Sequence, residues 1–153
     1  MKFPNKKYFS CRDFYIDYNN KLSQTFKNNH FDELVKITNF LEKKIITKNQ
    51  IFVCGNGGSA SISNHFLCDY NKGIKLSSKY KLTPKVISLA NSVELITAIA
   101  NDISFNEIFK HQLENLGNKN DILFIFSSSG KSPNILEVVK LARKKKNRCN
   151  FNN

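Results

Sequence analysis

Six consecutive residues, Ser127-Ser128-Ser129-Gly130-Lys131-Ser132, offer four serine hydroxyls and a run of backbone N–H groups. A turn of this kind that opens onto a helix suits an anion, because its donors converge and the helix dipole favours negative charge. The closing Gly130-Lys131-Ser132 is like the end of a P-loop. That motif needs a glycine where Ile125 stands, so a nucleoside triphosphate site is not expected. Serine and glycine also form turns for their own sake, but four serines in six positions exceed what a turn needs. A second turn, Gly55-Asn56-Gly57-Gly58-Ser59, lacks the GxGxxG dinucleotide spacing. Asn56 offers a side-chain amide, while Gly57 and Gly58 let a ligand approach the backbone. His65 and Asp69 are four apart, which on a helix places them on one face. Such a pair can ligate a metal, act as acid and base, or hydrogen-bond across one helical turn. The residues alone leave all three open.

The elements that carry these groups follow from hydrophobic period. Apolar residues at helical spacing over 13–44, from Phe14 to Leu41, predict two helices broken at Asn28-Asn29-His30. Ile51-Phe52-Val53-Cys54 is a short apolar run ending in glycine, the pattern of a buried parallel strand. A helix over 59–70 should follow, with Ile62, Phe66 and Tyr70 on one face, then a polar loop over 73–83. A second strand is expected at 86–89, helices over 92–100 and 105–116, and a stop at Gly117-Asn118. Ile122-Leu123-Phe124-Ile125-Phe126 gives a third strand, and Pro133 opens a last helix over 134–144. Alternating strands and helices predict a parallel sheet covered on both faces. In the order 2-1-3, the turns after strands one and three share a crevice. Three strands are few, and the last helix should lead into a fourth; residues 144–153 read as an irregular basic tail. The domain is therefore expected to be incomplete at its C-terminus.

The chain has 153 residues, enough for one domain with a real core and too few for two ordinary ones. Hydrophobic residues make up 41% and charged residues 24%, as in globular proteins. No apolar run is long enough for a membrane span, and no secretory signal is supported. Cys11, Cys54, Cys68 and Cys149 lack zinc-ribbon or CxxC spacing, which suits a reduced cytoplasmic protein. The net charge of +12 comes from scattered lysines in an asparagine-rich chain. That is what an AT-rich coding sequence produces. Without aromatics interleaved among the basic residues, nucleic acid is not the expected partner.

Taken together, Cys54-Gly55-Asn56-Gly57-Gly58-Ser59-Ala60, Asn64-His65-Phe66, Ala100-Asn101-Asp102 with Phe105-Asn106, and the serine turn resemble the SIS (sugar isomerase) domain. Within it they look most like the phosphoheptose isomerases, over about residues 20–143. The resemblance implies a doubly wound, three-layer α/β sandwich with flavodoxin-like strand order. It divides the chain into an N-terminal helical oligomerisation segment (1–45), a partial SIS domain (46–143) and the tail (144–153). It implies a homotetramer with active sites at subunit interfaces, converting sedoheptulose 7-phosphate to D-glycero-D-manno-heptose 7-phosphate for lipopolysaccharide or capsule. By the same resemblance Asn56, Gly57 and Gly58 contact substrate, and Asn101 and Asp102 hold its hydroxyls. Ser127, Ser128, Ser129 and Ser132 take the phosphate, and His65 is a zinc ligand. Asp69 stands where the best-known members carry a glutamate that is both metal ligand and catalytic base, and it is one methylene shorter. The family's remaining metal ligands, a glutamine and an acid/base histidine, belong to a C-terminal helix that this sequence does not include, and His111 does not match them. The zinc ligand set is thus expected to be incomplete and activity impaired. A non-catalytic sugar-phosphate-binding protein or scaffold, or a gene remnant, is the alternative.

Overall fold

The computed structural model describes residues 3–27 and 30–148, apart from the side chains of 146–148. The chain divides into two units, Met1–Asn39 and Phe40–Asn153. In the first, helix α1 (Cys11–Lys27) is started by Ser10, whose hydroxyl oxygen accepts the Asp13 N–H at 3.1 Å. The rings of Phe3, Tyr8, Phe14 and Tyr18 cluster beside it. Tyr8 donates its hydroxyl to Asp17, which also pairs with Lys21 at 3.1 Å. Desolvation, then the Asp17 carboxylate, pushes the Tyr8 phenol up to about 12, and the Tyr8 hydroxyl and Lys21 hold the Asp17 carboxyl below its ordinary value. The expected break falls where α1 ends and helix α2 (Phe31–Ile46) begins, with Asn28 and Asn29 outside the described residues. The division at Asn39/Phe40 comes earlier than the expected 45, because Leu41 and Ile45 in the last turns of α2 are buried in the second unit.

The second unit is built on three parallel strands: β1 (Gln50–Cys54), β2 (Lys85–Ser88) and β3 (Ile122–Ile125), in the order β2-β1-β3. Central β1 pairs Ile51 with Val86 on one side and with Ile122 on the other. Its side chains alternate between faces, and Ile51, Phe52, Val53 and Cys54 are all fully buried, so the sheet is covered on both sides. The crossover from β1 to β2 and the one from β2 back past β1 to β3 run in opposite directions along the sheet, so, both being right-handed, they must pass over opposite faces. Accordingly, Ile51 and Val53 pack with α2 and with Phe66 and Tyr70 of the first crossover. Phe52 and Cys54 pack with Ile99, Phe109, Leu113 and Val138. The doubly wound reading holds.

Three boundaries differ from the sequence expectation. After helix α3 (Gly58–Cys68) the chain stays helical through a π-helical turn (Asp69–Ile74) and α4 (Lys75–Ser77), where a polar loop was expected from 73. Gly73 does not break it; its backbone is uncrowded and continues the turn. The π turn also carries Asn71, whose amide donates to the Val86 carbonyl and accepts the Val86 N–H, both at 2.9 Å. It thereby caps the outer edge of β2 as a neighbouring strand would. Second, α5 (Val93–Asp102) begins after its N-cap Ser92 and includes Asn101 and Asp102 in its last turn. The stretch that follows is a 3₁₀ turn (Phe105–Glu107) and a shorter helix, α6 (Lys110–Leu116), ended at Gly117. Third, α7 (Pro133–Arg148) runs four residues past the expected helix end at 144, within the segment read as an irregular tail, and 149–153 lie outside the described residues. The extension is anchored: Lys145 Nζ donates to the carbonyls of Leu113, Glu114 and Gly117 at 2.9–3.1 Å, satisfying the C-terminus of α6. Among the described residues no helix is long and apolar enough to cross a membrane.

Candidate functional site

The turns after β1 and β3 are neighbours because their strands are. The Phe126 N–H donates to the Cys54 carbonyl at 3.0 Å, carrying the pairing one step past the sheet. Gly55 is where they come closest. A Cβ on Gly55 would lie 2.6 Å from Ser59 Cβ, 2.7 Å from the Ser59 carbonyl oxygen and 2.8 Å from that of Phe126. No side chain fits there. Sequence reasoning passed over Gly55 in favour of Gly57 and Gly58, although a glycine directly after a central strand is itself a sign of close approach. Gly57 has φ +53°, and Gly58 starts α3 with open space around it. Both are exposed, so ligand access to their backbone is unobstructed.

The serine turn holds itself together while keeping its donors. The Gly130 N–H donates to Ser127 Oγ at 3.0 Å and the Lys131 N–H to Ser129 Oγ at 3.2 Å. A hydroxyl that accepts a backbone bond still has its own proton to give. Gly130 sits at φ +63°, which lets the chain reverse. The hydroxyls of Ser128 and Ser132, and the N–H groups of Ser128, Ser129 and Ser132, have no partner among the described residues. Pro133 takes the first helical position, and the Ser132 carbonyl accepts from Ile135 and Leu136 at 3.0 Å, so Ser132 is the cap of a 16-residue helix. Exposed Lys131 adds a positive charge. The result is a donor-rich, electropositive turn at the carboxyl edge of a parallel sheet, suited to a phosphate.

Asn56 reaches the same place from the other turn, and its amide is paired reciprocally with that of Asn134 at 2.9 and 2.8 Å. Asn134 is 1% exposed. Sequence reasoning missed it, and no local pattern could have shown it, since the two lie 78 positions apart.

The remaining candidates stand apart from the turns. His65 Nδ1 lies 3.3 Å from Asp69 Oδ2, with both side chains exposed. Asp69 comes 11 residues into α3 and its continuation, about 16 Å from the glycine turn at helical rise. Asn101 donates to Asp102 at 2.8 Å at the end of α5, about 12 Å along that helix from its start. Among the described residues, no hydrogen bond or ion pair joins either pair to the turns or to each other. His65 and Asp69 are donors of the kind zinc takes, but the described residues contain no group of three or more His, Cys, Asp or Glu. They do not close a zinc site by themselves. Cys54 is buried beside the crevice, and desolvation pushes its thiol up to about 12, so it is no nucleophile.

Known proteins share this fold. The SIS domain family matches residues 14–148. Phosphoheptose isomerase of Helicobacter pylori (strain P12) is 39% identical over 113 residues, covering 72% of this chain and 56% of the relative. That of Campylobacter jejuni serotype O:6 is 43% identical over 97 residues, covering 61% and 49%. The chain spans about half the length of these curated relatives. The solved phosphoheptose isomerase from Francisella tularensis superposes with TM-score 0.78 at 27% identity, covering 88% of this chain and 69% of that one. The enzyme from Neisseria gonorrhoeae does so with TM-score 0.73 at 27% identity, covering 86% and 66%.

Proposed function

This chain belongs to the SIS domain family, and on that premise we propose that it binds a sugar phosphate and isomerises sedoheptulose 7-phosphate to D-glycero-D-manno-heptose 7-phosphate. The observation that carries the reading is the serine turn heading α7, set beside the glycine turn by the β1–β3 pairing. The name of the relatives, phosphoheptose isomerase, supports a heptose phosphate as the substrate class. In this reading the N–H groups and hydroxyls of Ser127, Ser128, Ser129 and Ser132 hold the phosphate. Asn56, Gly57 and Gly58 line the sugar side, and Asn101 and Asp102 take hydroxyls. The Asp69 carboxylate removes the C1 proton of the ketose as an acid group protonates the C2 carbonyl oxygen, giving an enediol. Return of the proton to C2, with loss of the O1 proton, gives the aldose. His65 and Asp69 would furnish two donors toward a zinc ion, whose charge would stabilise developing oxyanions; further ligands would have to be supplied from outside the described residues.

Because the candidate groups stand a helix length apart within one chain, we place the working site between copies in a cytoplasmic homotetramer. The exposed Phe26, Phe31 and Leu34 of the N-terminal unit are consistent with such packing. A second reading, a sugar-phosphate binder without turnover, is favoured by the lack of a third metal donor among the described residues. One experiment separates them. Purified protein is mixed with sedoheptulose 7-phosphate, with and without zinc, and followed by NMR for the aldose, with Asp69→Asn as control. Turnover that Asp69→Asn abolishes supports the isomerase, and saturable binding without turnover supports the binder. A chain that binds neither the sugar phosphate nor inorganic phosphate sinks both.

A further inference from the structure

The amide pair between the two turns is more than a tie. In a reciprocal asparagine pair each amide gives one N–H and one carbonyl lone pair. Such a ring closes equally well if both amides flip together. A third bond removes that freedom, because the Ile135 N–H, shared with the Ser132 carbonyl at 3.0 Å, also donates to Asn134 Oδ1 at 2.9 Å. With Asn134 flipped, that N–H would face an NH₂ group inside a site where Asn134 is 1% exposed. The first turn of α7 therefore fixes Asn134, and Asn134 fixes Asn56. Asn56 is half-buried and keeps one N–H and one lone pair outside the ring. That remainder matches a hydroxyl, which both donates and accepts. It does not match a phosphate dianion, which only accepts and would be repelled by Oδ1.

We propose that Asn134 is a positioning residue: it locks the Asn56 amide in one orientation so that Asn56 reads a hydroxyl of the sugar while the serine turn takes the phosphate. The proposal rests on the sugar-phosphate reading of the site.

The test is calorimetric titration of wild type, Asn134→Leu, Asn56→Ala and the double variant with sedoheptulose 7-phosphate and, separately, inorganic phosphate. One hydroxyl bond is at stake, so Asn134→Leu should weaken the sugar phosphate about three- to tenfold and leave inorganic phosphate unchanged. Added to Asn56→Ala, it should weaken binding no further. A merely structural asparagine would weaken both ligands, and its effect would add to that of Asn56→Ala. Wild type binding neither ligand overturns the site reading and this proposal with it. Wild type binding both, with Asn134→Leu unchanged or additive, overturns the proposal alone. A readout that needs no variant is the side-chain amide spectrum of wild-type Asn56. One Nδ2 proton should be protected from exchange, and the other should shift with the sugar phosphate but not with inorganic phosphate. Two freely exchanging protons, or a shift with phosphate alone, would refute the lock even if no variant folds.

Discussion

Three glycines within four residues stand in three different settings, and alanine at each should separate them. At Gly55 the new methyl meets backbone, the carbonyl oxygens of Ser59 and Phe126 at 2.7 and 2.8 Å, as well as Ser59 Cβ at 2.6 Å. None of these is the far end of a flexible side chain, so α3 or the end of β3 must move. Forcing a methyl into so close a gap costs about 1–3 kcal/mol. In a chain of this size each kcal/mol lowers the melting temperature by about 2–4 °C, so Gly55→Ala should melt roughly 2–12 °C lower. At Gly57 nothing crowds a Cβ, but φ is +53°, and the strain of about 1–3 kcal/mol stays within the turn. At Gly58 there is open space and ordinary helical backbone, and alanine should be neutral or stabilise by up to about 1 kcal/mol.

Thermal melts followed by circular dichroism rank the three, and amide spectra locate the damage. Gly55→Ala should move the Phe126 and Ser127 resonances across the crevice and weaken phosphate binding, whereas Gly57→Ala should leave the Phe126 resonance in place. If Gly55→Ala melts within a degree of wild type with an unshifted Phe126 amide, the close approach of the two turns is not what demands glycine there.

Lys145→Met removes the donor to three α6 carbonyls and should cost about 1–3 kcal/mol in urea denaturation. Exposed Lys144→Met should stay within about 0.5 kcal/mol. Cys54 should resist iodoacetamide at pH 8 in the folded chain while exposed Cys11 and Cys68 react, as mass spectrometry of the labelled protein will show. Its raised thiol pKa also has a sign: the folded state holds the proton more tightly, so this contribution to stability is complete below pH 9. It is lost as pH rises toward about 12, and chemical melts over that window should show the decline.

The strands were legible because a fully buried strand such as Ile51-Phe52-Val53-Cys54 leaves an unbroken apolar run; their order entered only as a condition and through the family resemblance, since helical crossovers narrow the topologies without choosing one. Pro133 marked the start of α7 because its fixed φ and missing N–H suit the first helical position. Gly73 misled. Glycine costs a helix about 1 kcal/mol, which weakens a helix without forbidding it, and the Asn71 bonds to Val86 hold that segment against β2. The last four residues of α7 were hidden for a similar reason. A lysine-rich run carries no apolar period, while the bonds that anchor it run from Lys145 to carbonyls about 30 positions earlier.

The serine turn and Asn56 could be picked out from the sequence as separate motifs, but what makes them one site lies between them. Gly55 against the Phe126 carbonyl, the Phe126 N–H on Cys54 and Asn56 on Asn134 all cross from the β1 end to the β3 end, and each depends on β3 being the neighbour of β1. Strand order therefore decides which motifs can act together. The same logic limits what one chain can do. His65 with Asp69, and Asn101 with Asp102, lie about 10–16 Å along their helices from the helix starts. No change of rotamer spans that distance. On the proposed reading, the serine turn can hold phosphate within a single copy, whereas chemistry on the sugar would need those helices presented from another. If that reading is right, phosphate affinity measured by calorimetry should persist at protein concentrations low enough to abolish turnover of the sugar phosphate.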